Sequence, residues 1–144
     1  MNILSGGRVI LYNCLVYLSV WKYRKLYGMD IGVGTRISRK TKLDTGTNPK
    51  GVHIGSYCWL TGGVIMLTHD ACRGIKADTF IGDRCFIGSR SVILPGVKIG
   101  NNVIVGINSV VTKDVPDNCI VAGNPAKIIK RNVSVGKWGI LKTK

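Results

Sequence analysis

Few residues of this chain could do acid–base or metal chemistry. Its 144 residues include two histidines, five cysteines and seven acids, and all seven acids are aspartates because Glu is absent. A mechanism that needs a glutamate base is therefore excluded. A structural zinc site is not expected, because there is no Cys-x-x-Cys pair. The odd number of cysteines argues against a disulfide scaffold and favours a reducing compartment.

The two histidines lie in different sequence contexts. His53 precedes the apolar Ile54 in KGVHIG, so we expect it to point outward, as a surface residue or a substrate contact. His69 lies in MLTHDACRGIKADTF, a stretch that interrupts the regular pattern described next. Loops that leave a rigid scaffold often carry function. His69 is therefore the better candidate for chemistry, with a plain polar loop residue as the alternative.

A six-residue repeat must position these side chains. Eleven hexads begin with Ile, Leu or Val and cover residues 31–48, 54–65 and 81–116. Position five is always Thr, Cys, Val or Ser, and position two is Gly in six hexads. A helix repeats about every 3.6 residues and a strand about every 2, so neither alone explains the pattern. A coil with three flat faces, each one hexad long, does explain it.

This coil makes specific predictions for the interior. The aliphatic residue at position one fills the core, and the small or β-branched residue at position five lies beside it. Glycine at position two is expected to suit the bend, where a side chain would crowd the backbone. Cys58 and Cys85 both occupy position five, so they are interpreted as small core residues rather than ligands or nucleophiles.

Residues 31–131 resemble the bacterial hexapeptide-repeat acyltransferases. The resemblance is carried by the hexads, the THD segment and the closing VVTKDVPDNCIVAGNPAKIIKR. It implies an all-β fold, a left-handed parallel β-helix of roughly five coils. It also implies a homotrimer with active sites at the subunit interfaces. Within the family, the chain is most similar to small O-acetyltransferases of polysaccharide and lipopolysaccharide biosynthesis.

The same resemblance implies acetyl transfer from acetyl-CoA to a sugar hydroxyl, without a metal. His69 matches the position of the family's general base, which removes the hydroxyl proton. Histidine suits this step because its unperturbed pKa is about 6.5. Asp44, in KLDTGT, corresponds to an acid that relatives place near the active site. Asp70 and backbone carbonyls are the alternatives for orienting His69.

The resemblance also implies a site for acetyl-CoA in a groove between two subunits. Ser89, Ile107, Thr112 and Lys113 match residues that contact the donor, although Ile107 replaces a small residue common there. Lys127 and Lys130 match basic residues that meet the nucleotide end. A basic surface would attract the phosphates of CoA.

Two flanking segments complete the organisation. Residues 1–30 form an apolar cap, expected to be helical, in which Ile10–Val20 is too short to span a bilayer. This cap packs on the coils or, as the less favoured alternative, contacts a membrane peripherally through Trp21, Tyr23 and Tyr27. Residues 132–144 form a basic tail. It is either solvated or part of the donor site.

Other functions stay open at this point. The acceptor could be an amine, as in an N-acetyltransferase acting on an amino sugar. The net charge of +14 also suits a non-catalytic basic β-helix, although no nucleic-acid-binding motif is present. A non-catalytic β-helix that resembles the zinc-binding relatives would need three histidine ligands. Because the chain has two histidines, it could supply three only if the subunits of a trimer contributed them together. The expected location is the cytoplasm, with the inner face of the membrane as a more specific alternative.

Overall fold

The computed structural model describes residues 3–142, which form one long helix followed by sixteen short strands. Helix α1 covers Ile3–Tyr27. The strands, in chain order, are β1 (Asp30–Ile31), β2 (Arg36–Ile37), β3 (Lys42–Leu43), β4 (Val52–Ile54), β5 (Trp59–Leu60), β6 (Ile65–Met66), β7 (His69–Asp70), β8 (Ile75–Lys76), β9 (Thr79–Ile81), β10 (Phe86–Ile87), β11 (Val92–Ile93), β12 (Lys98–Ile99), β13 (Ile104–Val105), β14 (Val110–Val111), β15 (Ile120–Gly123) and β16 (Ala126–Lys130).

Three parallel sheets form the faces of the coil. Sheet A contains β1, β4, β9 and β12, and sheet C contains β3, β6, β11 and β14. Sheet B contains β2, β5, β10, β13 and β15, with β16 added antiparallel to β15. The chain therefore completes four turns and begins a fifth. The predicted all-β architecture, a parallel β-helix with an N-terminal helix, is confirmed.

The interior follows the six-residue repeat closely. Every position-one residue is buried, from Ile31 to Val111. Position five is buried in every hexad except the third, where Thr47 is exposed. The prediction was wrong for Thr47 because the chain leaves the coil after Leu43 and runs through an irregular loop to β4. Cys58 and Cys85 are fully buried, as predicted.

Glycine is required at position two for a different reason from the one predicted. None of them has a positive φ, and the left-handed residues at the corners lie at position four, as in Arg84 and Asn102. A Cβ at Gly82 would lie 2.7 Å from the backbone of Gly100 on the next coil. Position two is therefore restricted because successive coils approach each other closely there, and the bend itself lies at position four.

Helix α1 covers the open edge of the first coil and lies within residues 1–30, where a helical cap was predicted. Val16 and Val20 are buried against the coil. The Tyr23 hydroxyl donates to the Thr41 carbonyl at 3.3 Å, and the Arg24 Nε donates to the Ile31 carbonyl at 2.7 Å. Among residues 3–142, no helix has the combined length and apolar character needed to cross a membrane.

The segment after β16 packs back across sheet B. The Trp138 Nε1 donates to the Gly34 carbonyl at 2.8 Å, and the Arg36 guanidinium stacks on the Trp138 ring at 3.6 Å. Val133 and Val135 are buried. The described part of the predicted basic tail, residues 132–142, therefore lies on the coils, while residues 143 and 144 fall outside the described residues.

The contact between coils at position two can be tested with two glycine substitutions. We expect Gly82→Ala to lower the free energy of unfolding by about 1–3 kcal/mol, because its Cβ would collide with the backbone of the next coil. Gly62→Ala is the matched control: its Cβ would find its nearest neighbour, the Ser38 hydroxyl, at 3.6 Å. Urea denaturation measures both variants. Equal stability of the two would contradict the close approach.

Candidate active site

Two irregular segments meet at the corner between sheets C and A. The first runs through residues 44–51 on the first coil, and the second runs through residues 67–78 on the coil above it. The second segment contains the hairpin β7–β8, in which His69 pairs with Lys76. Because adjacent coils stack directly, both interruptions of the repeat project from the same corner of the molecule.

This corner brings His69 into contact with Asp44. The His69 Nδ1 is hydrogen-bonded to the Asp44 Oδ2. The Asp44 side chain is 3% exposed and the His69 side chain is 33% exposed. The carboxylate is thus buried behind a histidine that reaches solvent. Of the predicted orienting groups, the structure places Asp44 at the ring.

Asp44 is held by a dense set of donors. Its Oδ2 accepts from the Thr68 hydroxyl at 2.8 Å and the Thr68 N–H at 3.3 Å, and its Oδ1 accepts from the Thr47 N–H at 3.2 Å. Burial raises the pKa of Asp44, but the hydrogen bonds from His69, Thr47 and Thr68 outweigh burial and lower the pKa to about 2. Asp44 is therefore ionised throughout the neutral pH range.

The contact determines which nitrogen of His69 carries the proton. An ionised carboxylate only accepts hydrogen bonds, so the Nδ1 must be the donor. In a neutral imidazole, the Nε2 then has a free lone pair. No group within residues 3–142 hydrogen-bonds to this Nε2. The arrangement can accept a proton from a ligand at Nε2 while Asp44 stabilises the imidazolium that forms.

The competing residues have other partners. Asp70 closes the turn of the hairpin: its Oδ1 accepts from the Arg73 N–H at 3.0 Å and its Oδ2 accepts from the Arg73 Nε at 2.7 Å. His53 lies on the outer face of sheet A, as expected. It sits between Asp30, at 3.4 Å, and Asp78, at 3.2 Å, and its ring stacks on Phe80.

Thr68 was not singled out by sequence reasoning. It is fully buried, and its hydroxyl lies 2.8 Å from the Asp44 Oδ2 and 2.7 Å from the Asn48 carbonyl. It therefore joins the two irregular segments directly behind His69. No sequence signal marks Thr68 except its place beside the histidine, because the repeat that predicts burial elsewhere is interrupted there.

The residues predicted to contact the donor divide between two corners. Ser89 and Ile107 lie on successive coils at the corner between sheets B and C, where the Asn108 N–H donates to the Ser89 carbonyl at 2.8 Å. Lys127 pairs with Ala122, whose Cβ lies beside Gly106 at the same corner. Lys130 lies at the other end of β16, and both lysines are exposed. Ser89, Ile107 and Lys127 therefore share one corner of the coil, and Lys130 lies at the opposite edge of sheet B.

Thr112 and Lys113 lie at the opposite edge of sheet C. They follow β14 at the corner between sheets C and A, on the fourth coil, and both are exposed. This corner also carries His69, on the second coil. A single chain therefore does not bring all six predicted donor contacts together. The basic stretch Arg36–Lys42 turns at the corner between sheets B and C, away from His69 in the same chain.

The described residues do not support a metal site. Across residues 3–142, no group of three or more His, Cys or Asp side chains is placed to hold an ion. His53 and His69 each contact aspartate instead.

Comparisons with known proteins give consistent results. The family model described as the hexapeptide repeat of succinyl-transferase matches residues 79–113. Protein CapG of Staphylococcus aureus is 47% identical over 123 residues, which cover 78% of this chain and 71% of that protein.

Two solved structures share the fold. The polySia specific acetyltransferase NeuO is 33% identical with a TM-score of 0.63, and the match covers 79% of this chain and 53% of NeuO. A maltose O-acetyltransferase from Clostridium difficile 630 is 28% identical with a TM-score of 0.60, covering 76% of this chain and 72% of that one. These fold neighbours agree with the predicted left-handed β-helix. The chain spans about half the length of NeuO.

The buried carboxylate makes a prediction for acid stability. The pKa of Asp44 is about 2 in the folded protein, against the ordinary value of 3.8. Its stabilisation is therefore complete above about pH 4 and is lost as the pH falls through about 2. Between pH 6 and pH 2, the wild type should lose about 2 kcal/mol more of its free energy of unfolding than Asp44→Asn. Urea titrations at each pH measure this difference. Parallel pH profiles would contradict the assignment.

Proposed function

Because the chain belongs to the hexapeptide-repeat acetyltransferase family, we propose that it transfers an acetyl group from acetyl-CoA to a sugar hydroxyl, with His69 as the general base. The observation that carries this proposal is the contact between the exposed His69 ring and the buried Asp44 carboxylate. This contact leaves one ring nitrogen free at the surface.

Each side chain has a defined task in this reaction. The His69 Nε2 takes the proton of the acceptor hydroxyl while the hydroxyl oxygen forms a bond to the thioester carbonyl carbon. His69 returns that proton to the CoA sulfur when the carbon–sulfur bond breaks. Asp44 holds the Nδ1 proton in place and stabilises the charged ring. Thr68 keeps the Asp44 carboxylate turned toward the ring.

The donor would lie along the coils at the edge between sheets B and C. Ser89 and Ile107 line this edge, and Lys127 stands at its end as an exposed cation. Lys130, also exposed, lies across sheet B at the other end of β16. The charges of both lysines fit the phosphates of CoA. His69, Thr112 and Lys113 lie at the other edge of sheet C. One acetyl-CoA can contact both sets only if they come from two copies of the chain.

The outer face of sheet C supports an assembly of such copies. Its outward side chains include Ile65, Val92 and Val110, which are half-buried and apolar. Sheet B is covered by Trp138 and its neighbours, and the outer face of sheet A carries charged groups. We therefore propose a homotrimer that uses sheet C as a contact surface. This contact brings the donor edge of one copy to the His69 edge of the next.

The proposed acceptor is a sugar of a surface polysaccharide or lipopolysaccharide precursor. Support comes from the two solved neighbours, a polySia specific acetyltransferase and a maltose O-acetyltransferase. In this chain, the hairpin that carries His69 also presents Arg73 and Lys76 to solvent. Both can donate hydrogen bonds to hydroxyl or acidic groups of a glycan.

We place the reaction in the cytoplasm, where acetyl-CoA is made. The five cysteines all lie within residues 3–142 and all are free thiols. This state fits a reducing compartment.

Replacement of His69 tests the proposed base. We expect His69→Ala to lower kcat by at least about 10²-fold, because a general base contributes that much to proton transfer. Stability should fall only moderately, because Asp44 loses the His69 hydrogen bond but keeps those from Thr47 and Thr68. The assay measures free thiol released from acetyl-CoA with a panel of sugars, nucleotide sugars and amino sugars.

His53→Asn is the matched control, because His53 also contacts carboxylates but lies on sheet A. It should retain kcat within about tenfold of the wild type. Near-normal turnover in His69→Ala would contradict the assignment of the base. Release that requires an amino group on the acceptor would make the enzyme an N-acetyltransferase. If the protein does not bind acetyl-CoA, the non-catalytic binding module becomes the better account.

A charge on sheet C tests the proposed assembly. We expect Val92→Lys to reduce the mass in solution to about a third and to lower thiol release at least tenfold, because a buried unpaired charge disrupts an apolar contact. Val33→Lys is the control, since Val33 is already 63% exposed at another corner. Light scattering and the thiol assay report the two effects. A trimeric, fully active Val92→Lys protein would argue against this surface.

A further inference from the structure

Helix α1 has a second apolar face that the coils do not cover. Val16 and Val20 face the first coil and are buried. On the opposite side, residues recur at spacings of three and four and form a continuous stripe. We call this set the outer stripe: Ile10, Leu11, Cys14, Tyr17, Leu18 and Trp21. Its large side chains are between 56% and 73% exposed. Exposed apolar patches of this kind usually mark an interaction site.

The charges around the outer stripe have one sign. Residues 3–29 contain four cations, Arg8, Lys22, Arg24 and Lys25, and no acid. Arg24 is engaged with the Ile31 carbonyl, while Arg8, Lys22 and Lys25 are exposed. In addition, Arg39 and Lys40 of the first coil line a groove beside the helix. An apolar stripe bordered by cations is complementary to a surface that is apolar inside and anionic outside.

We propose that helix α1 lies flat on an anionic phospholipid bilayer and inserts the outer stripe among the lipids. Tyr17 and Trp21 suit the headgroup level, where aromatic rings with a polar group are enriched. Lys22 and Lys25 would contact the lipid phosphates. The helix cannot enter more deeply, because Val16 and Val20 hold its opposite face on the first coil.

A second copy of the chain fits the stripe less well. Packing two stripes against each other would bring Lys22 and Lys25 of each copy close to the cations of the other, without an acid to separate them. The chain's own C-terminal segment leaves the outer stripe exposed, because Trp138 is fixed on the Gly34 carbonyl and meets the helix only at the cavity that Tyr17 and Val20 line. The one-sided charge therefore favours an anionic lipid surface over another protein copy.

The position of the helix gives this contact a consequence for the proposed reaction. Helix α1 packs on the first coil, which also carries Asp44, and His69 lies on the next coil. Adjacent coils are about 4.8 Å apart. A protein bound through the outer stripe would hold its His69 corner near the membrane surface. Membrane binding itself does not rest on the proposed acetyl transfer.

Vesicle sedimentation tests the membrane contact without acetyl-CoA. The full chain is mixed with sucrose-loaded vesicles of phosphatidylglycerol and phosphatidylcholine, or of phosphatidylcholine alone. We expect binding to the anionic vesicles that weakens at high salt. A Leu18→Ser, Trp21→Ser variant should bind at least tenfold more weakly. A Lys22→Ser, Lys25→Ser variant should lose about tenfold on anionic vesicles and little on neutral ones.

Ile128→Ser with Ile129→Ser is the matched control, since both residues are exposed and apolar but lie on β16, at the opposite end of sheet B from the coil that α1 covers. It should bind like the wild type. Circular dichroism and thiol release with a water-soluble acceptor check that each variant folds. No binding by the wild type, or equal binding by the outer-stripe and control variants, would overturn the proposal. A changed mass of the outer-stripe variant in light scattering, without vesicle binding by the wild type, would assign the stripe to a contact between copies.

Discussion

The stacking of one coil directly on the next is the constraint on which the rest of the structure depends. Strands of successive coils pair in parallel and in register, as Ile54 pairs with Ile81 and Ile81 with Ile99. The same side chain type therefore recurs in columns through the core. Position two must remain glycine at several coils, because a Cβ there would occupy the backbone of its neighbour. The stacking leaves little freedom within the repeat, and the irregular loops lie where the repeat is interrupted.

The two interruptions at one corner produce the candidate site. The loop at 44–51 supplies Asp44 and the loop at 67–78 supplies His69 and Thr68. Rigid coils beneath both loops hold the carboxylate in a buried, fully hydrogen-bonded position. The His69 ring that contacts it is partly exposed at the surface. The pKa of Asp44 is about 2, because hydrogen bonds from His69, Thr47 and Thr68 outweigh the opposing effect of burial.

The three faces of the coil have different surroundings, and the differences indicate different roles. The C-terminal segment covers sheet B, the outer face of sheet C is apolar from β6 to β14, and sheet A carries His53 between two aspartates. Helix α1 covers the first coil with one apolar face and exposes another. A copy of the chain on sheet C and a lipid surface on the helix would use separate parts of the molecule, so both contacts can exist together.

The six-residue period alone predicts which residues are buried, because every turn of the coil returns the chain to the same environment. From it come the fold, the core cysteines and the place where His69 leaves the repeat. The family resemblance points to Asp44, with Asp70 as an alternative, but only the tertiary structure shows the contact with His69, since it depends on how two irregular loops from different coils meet. It also shows that Thr68 supports the carboxylate, that position two is restricted by contact between coils, and that residues 132–142 pack on sheet B. These features depend on contacts between segments far apart in the chain, and no local period encodes such contacts.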